Sequence, residues 1–148
     1  MSARVKKILV DICMTIFLIL SFIRWDSSNF AFHFIVGSAC TLFFSAHILI
    51  HRKWLIAVTR AILAGKPNKK LLLKYAVNII LLIIWCISII TGFLAIAYFL
   101  GDAENMRVFS RIHAVATRIG LAFILIHFIQ HLPQIISYFK IIKNLNNK

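Results

Sequence analysis

Four long apolar segments organise this chain, and polar residues interrupt them at only a few places. They run over about Val5–Ile23, Phe30–Ile50, Leu71–Leu100 and Val108–Leu132. Each is continuously apolar rather than alternating, which predicts helices and argues against strands. A membrane-spanning helix needs about 20 residues at about 1.5 Å rise. The first segment lies at the short end of that range. The third is long enough to tilt or to project past the bilayer. The pattern predicts an all-α integral membrane protein, a four-transmembrane-helix bundle forming one domain over residues 1–148.

Two further stretches mix apolar and basic residues. Between the second and third segments, Trp54, Leu55, Ile56, Val58, Ile62 and Leu63 are interspersed with Lys53 and Arg60, and the stretch ends at Gly65 and Pro67. This predicts an interfacial amphipathic helix over about 53–64, with Trp54 at the membrane–water boundary. After Pro133, Ile135, Ile136, Phe139, Ile141 and Ile142 alternate with Lys140 and Lys143 in the same way. A second interfacial helix is expected over about 134–145. The alternative for both is continuation of the preceding helix into water.

Composition agrees with a bilayer. The chain is 61% hydrophobic, against roughly 45–50% in soluble domains, and its mean hydropathy is +0.92. A soluble protein with a net charge of +13 would suggest a nucleic-acid partner. Here the bases flank apolar runs, so they are better explained by orientation in the membrane. Arg4, Lys6 and Lys7 precede the first helix. Arg52, Lys53, Arg60, Lys66, Lys69, Lys70 and Lys74 lie between the second and third, and Lys140, Lys143 and Lys148 lie in the tail. These regions alternate onto one side. The other side balances Arg24, Arg107 and Arg111 against Asp26, Asp102 and Glu104. The positive-inside rule then puts both termini in the cytoplasm of a bacterial or archaeal cell. Met1–Ile23 is similar to a signal peptide, but Arg24-Trp25-Asp26 is a poor cleavage site, so an uncleaved first helix is expected. Cys13, Cys40 and Cys86 lie singly in apolar runs, without CxxC or CxxCH, and are expected to act as small packing residues.

The candidate chemistry lies in the histidines. His33, His47 and His51 are spaced H-x13-H-x3-H, and His113, His127 and His131 repeat that spacing 80 residues later. Ionisable side chains inside apolar segments are costly and usually functional. In the predicted topology the second and fourth helices run parallel, so the triplets fall into three matched layers. In a left-handed bundle wound near 3.5 residues per turn, fourteen residues are four turns. His33 and His47 then share a face, as do His113 and His127, about 21 Å apart along the axis. That spacing accommodates two haem b groups, each held between two imidazoles, a common ligand of haem iron.

His51 and His131 lie only about 6 Å from the inner pair, too close for a third haem on that face. Three roles are open to them: a hydrogen bond to a propionate, part of a quinone site, or true ligation at a spacing of eighteen. Ordinary interfacial polarity is a fourth reading. Gly37 and Gly120 fall on the histidine face and would leave room for a flat haem, although close helix packing needs glycine equally. Arg118, inside the fourth helix, and Arg111, near its outer end, are candidate propionate partners, with a solvated role open for Arg111. Asp11 is expected to pair with Lys7 one turn away, and relaying a quinol proton is its other reading. Trp85 and the phenylalanines are expected to pack the core and line haem edges. No nucleotide-binding loop, hydrolytic triad or carboxylate metal cluster is present.

His47-x3-His51-Arg52-Lys53-Trp54, with Arg111-x-His113-x13-His127-x3-His131, resembles small four-helix membrane cytochromes b. The likeness is nearest to a flavinylation-associated family formerly of unknown function, and it covers most of the chain. More distantly the chain is similar to the cytochrome b subunits of formate dehydrogenases and nickel–iron hydrogenases, which share the Arg-x-His and x13 spacings. The resemblance implies b-type haem and quinone-linked electron transfer, with His33, His47, His113 and His127 as ligands by motif position. The distant families are longer and place ligands on other helices, so their quinone sites do not carry over. The paired x3 histidines depart from the two-haem pattern and leave the inner ligand open.

Three functions compete. The first is a di-haem cytochrome moving electrons between a quinone pool and a redox protein on the outer face, serving as an electron-transfer protein or as the quinone-reactive subunit of an oxidoreductase. The second is a haem-bearing anchor for a larger reductase or dehydrogenase. The third is a metal transporter using the H-x3-H pairs, which suit zinc. Membrane lipid is an expected partner in each, and a second copy of the chain is a candidate one.

Overall fold

The computed structural model describes residues 3–23, 30–65, 68–99 and 101–146. The Arg24-Trp25-Asp26 stretch, Pro67 and the side chains of Phe139, Lys140, Ile141, Ile142 and Lys143 lie outside the described residues. Four helices follow one another: α1 (Ala3–Ile23), α2 (Phe30–Leu63), α3 (Lys69–Ala97) and α4 (Ala103–Asn146). There is no strand among the described residues. The chain divides into two units, Met1–Ala64 and Gly65–Lys148. In each, two helices pack against one another as a hairpin.

Local chemistry sets the helix ends. Gly65 takes φ +70, the left-handed conformation that terminates a helix without a Cβ penalty. The Asn68 side chain accepts from the Leu71 N–H at 2.8 Å and caps α3. Asp102 does the same for α4, its Oδ1 accepting from Glu104 and Asn105 N–H, each at 3.1 Å.

Neither interfacial helix forms as a separate element. Residues 53–64 fall almost wholly within α2, and 134–145 within α4. The reason is the absence of a stop: no glycine or proline lies between Ile50 and Leu63. Pro133 is retained inside α4. It removes one N–H and crowds the preceding turn, a defect that membrane helices tolerate. At about 1.5 Å per residue, α2 and α4 are much longer than an apolar layer of about 30 Å.

α2, α3 and the Ala103–Pro133 part of α4 are each long and apolar enough to cross a membrane. α1 is diluted by Lys6, Lys7 and Asp11 in its first three turns. Large apolar side chains are broadly exposed, among them Leu42 at 73% and Ile129 at 67%. A soluble monomer rarely presents so much. The chain is an integral membrane protein by this pattern.

Within the first hairpin, Phe17 of α1 stacks on Phe43 of α2, centroids 5.3 Å apart. Within the second, Gly120 of α4 lies so close to α3 that a Cβ there would be 3.1 Å from Ile84 Cγ2.

Candidate cofactor-ligand sites on the two hairpins

All six histidines are half-buried. Four of them bind an oxygen on the helix that precedes their own. In the first hairpin, His47 Nδ1 is 2.7 Å from Asp11 Oδ1, and His33 Nδ1 is 3.3 Å from the Ser21 carbonyl. In the second, His127 Nδ1 is 2.7 Å from Asn78 Oδ1, and His113 Nδ1 is 2.8 Å from the Ser88 carbonyl. His33 and His47 therefore share the α1-facing side of α2. His113 and His127 share the α3-facing side of α4.

The partners repeat as the histidines do. Asp11 and Ser21 have the same separation as Asn78 and Ser88, so the first helices of the two hairpins match at a shift of 67 where the second helices match at 80. At the shift of 67, Lys7, Val10, Ile12 and Ile16 also match Lys74, Val77, Ile79 and Ile83. The repeat therefore extends to the whole hairpin, with a longer connection in the second copy.

The acceptors decide the tautomer. A backbone carbonyl, a carboxylate and an amide oxygen each accept, so each Nδ1 carries the proton and donates it. In the neutral ring the lone pair is then on Nε2, the arrangement in which an outer oxygen orients a metal-ligating imidazole and raises its basicity. Serine is well placed to supply the carbonyls. The Ser88 hydroxyl turns back onto the Ile84 carbonyl at 2.9 Å, and the Ser21 hydroxyl onto Leu18 at 2.6 Å.

The x3 histidines are held differently. His51 stacks on His47 and His131 on His127, with centroids 4.6 Å apart in both pairs. The Nε2 atoms of His51 and His131 are both buried. Ligand atoms of Asp11, His47 and His51 all lie within 4.8 Å of one another. Asp11 thus turns to His47, not to Lys7 as local spacing suggests.

The other candidates vary. Arg111 is exposed and lines a shallow depression with Ala103, Glu104, Arg107 and Val108. Arg118 is exposed on α4. Gly37 has open space beside it, whereas Gly120 faces Ile84. Gly92, which the histidine pattern does not point to, is the glycine that touches a histidine. A Cβ there would lie 3.2 Å from His113 Nδ1. Comparison with known protein families, curated proteins and solved structures finds no match for this chain.

Proposed function

We propose that this chain is a di-haem b-type cytochrome of the cytoplasmic membrane, carrying electrons between a quinone pool and a redox partner on the outer face. His33 and His113 are the ligands of one haem, and His47 and His127 of the other. All four helices span, with both termini cytoplasmic. Lys6 and Lys7 of α1 reach the headgroups, as long basic side chains do near helix ends, and Asp11 is engaged by His47.

The observation that carries the reading is the fourfold Nδ1 anchoring, repeated at two levels in two hairpins. Haem, when bound, supplies a one-electron iron couple. The chain's own residues fit that group by presenting imidazoles whose Nδ1 atoms are anchored, leaving Nε2 as the ligating atom, on apolar helices. Asp11, Ser21, Asn78 and Ser88 orient the rings. The same anchoring favours His47 and His127 over their x3 neighbours as the inner ligands.

The test is a pyridine haemochrome assay on the purified protein. Two haems per chain are expected, with bis-imidazole α and β bands. His33→Ala or His113→Ala should lose one haem and His47→Ala or His127→Ala the other, while His51→Ala and His131→Ala keep both. Protein purified without haem would sink the proposal.

A second reading draws support from the Asp11, His47 and His51 cluster. Two imidazoles and a carboxylate suit zinc, and such a site would serve a histidine-based metal transporter. The second hairpin offers Asn78 in place of the carboxylate, a poorer ligand. Stoichiometric zinc without haem, with metal uptake into liposomes, would favour this reading.

A further inference from the structure

Arg107, Arg111 and Arg118 are the arginines of α4. At 3.6 residues per turn they fall within about 40° of one another around the helix. His113 and Gly120, which meet Ser88 and Ile84 of α3, lie on the other side. All three arginines are exposed, and none makes an ion pair among the described residues. Leu125 and Ile129, also exposed, continue the same line toward Pro133. Arg107 to Arg118 covers about 16 Å of helix, and Arg118 to Ile129 about as much again. One face of α4 is thus cationic along its first half and apolar along its second.

We infer that this face is a docking surface for an anionic phospholipid of the leaflet nearest the α3–α4 connection. The phosphate sits among the guanidiniums, which match it with bidentate hydrogen bonds, and the acyl chains lie along Leu125 and Ile129. Arg118 is inside a segment long and apolar enough to cross a membrane, where an uncompensated charge is costly. Its long stem lets the guanidinium reach toward the headgroups, and a phosphate there offsets its charge. Arg107 and Arg111 line a shallow depression with Ala103, Glu104 and Val108. Glu104 can accept from a headgroup hydroxyl, which favours a glycerol headgroup. Asp102, the other acid nearby, is taken up by Asn105 and Glu104. A soluble acidic partner could meet Arg107 and Arg111 but not the apolar half of the face. The surface lies wholly within the second hairpin, and the inference does not rest on the haem reading.

The experiment is photo-crosslinking of the full chain in phosphatidylcholine vesicles. The probes are photoactivatable phosphatidylglycerol and phosphatidylcholine, with adducts mapped by peptide mass spectrometry. Phosphatidylglycerol should label residues 103–129 at a far lower probe concentration than phosphatidylcholine. An arginine near an anionic lipid surface is worth about fivefold in affinity, so each single Arg→Gln change should cost about fivefold and the triple change about a hundredfold. Adducts on the basic stretch from Arg52 to Arg60 should stay, as an internal control. Glutamine is a good helix former, and the single variants carry the test should the triple one fail to fold. Arg118→Lys keeps the charge and should keep most of the preference. Equal labelling by the two probes, or labelling of 103–129 unmoved in the Gln variants, would overturn the inference. So would displacement by soluble glycerol phosphate, which would leave a headgroup site only. Labelling that appears only after haem is stripped would assign the arginines to propionates instead, and would overturn it too.

Discussion

Gly92→Ala separates the stability of the second hairpin from the quality of the haem site proposed at His113. Gly92 follows Ser88 by one turn of α3, on the side where the His113 ring lies. A Cβ there would be 3.2 Å from Nδ1 and 3.3 Å from Cε1 of that ring. Comfortable separations are roughly 3.5–4.0 Å, so the ring must retreat by roughly 0.3–0.8 Å. The Nδ1 to Ser88 carbonyl bond, 2.8 Å long, would then lengthen to or past the limit of about 3.2 Å for a good N–H···O bond. Losing it costs about 0.5–1.5 kcal/mol. Against that, alanine gains about 0.8–1.0 kcal/mol over glycine inside a helix. The two nearly cancel in fold stability. They do not cancel at the site, because a ligand must be held within roughly 0.5 Å, and the bond loss alone corresponds to about a two- to twelvefold weaker haem. The assays are thermal unfolding followed by circular dichroism and a Soret titration of apo-protein. The expected result is a Tm close to wild type with one of two haems weakened. Equal affinity for both haems in the variant would refute the reasoning.

Gly120→Ala would put a Cβ 3.1 Å from Ile84 Cγ2. That methyl sits on a stiff β-branched carbon, so α3 and α4 must part. The variant should lose about 1–3 kcal/mol, less the helix-propensity gain, in denaturant unfolding. Adding Ile84→Ala should cost less than the sum of the single changes, and strict additivity would show that the contact carries no strain. Asp102 is half-buried at the start of α4, and the Asn105 N–H and side-chain amide hold its carboxyl below the usual carboxylate range. A depressed folded pKa contributes stability that is present above the unfolded value and lost as pH falls through the folded one. Asp102→Ala should therefore flatten the acidic end of the Tm-against-pH profile. A variant profile parallel to wild type would exclude that contribution.

The apolar pattern is enough to place four helices, because continuous hydrophobicity over about 20 residues leaves few other structures in lipid. It misplaces the ends of α2 and α4, since hydropathy reports where a membrane stops and not where backbone hydrogen bonding stops. α2 continues to Leu63 because the first conformational break after Ile50 is Gly65. The histidine positions and their shared faces are equally legible, being local periodicity. Their partners are not. The bond between Asp11 and His47 spans 36 residues, and a reading restricted to one helix pairs Asp11 with Lys7. A signal was nevertheless present in the second repeat, Lys7-Val10-Asp11-Ser21 against Lys74-Val77-Asn78-Ser88. It escapes a search at a single shift because the connections differ in length. Gly92 carries no pattern at all, and only the packed hairpin reveals it.

The two copies also diverge in side-chain size, and most clearly in one layer. Near the inner histidines Phe43 and Phe123 occupy equivalent positions and both Nδ1 bonds measure 2.7 Å, although the acceptor is a carboxylate in the first hairpin and an amide in the second. Near the outer histidines the second copy is smaller. The buried pair Val36 and Cys40, three and seven residues after His33, corresponds to buried Ala116 and Gly120 after His113. Phe17, stacked on Phe43 in the first hairpin, corresponds to Ile84, which presses on Gly120 in the second. Smaller residues at a helix contact let the backbones approach. The bond that depends on that approach follows, 2.8 Å from His113 to Ser88 against 3.3 Å from His33 to Ser21. The longer bond lies beyond the ordinary range for N–H···O. The Nδ1 bond of His33 is therefore the longest of the four, and the wider helix contact of the first hairpin accounts for it.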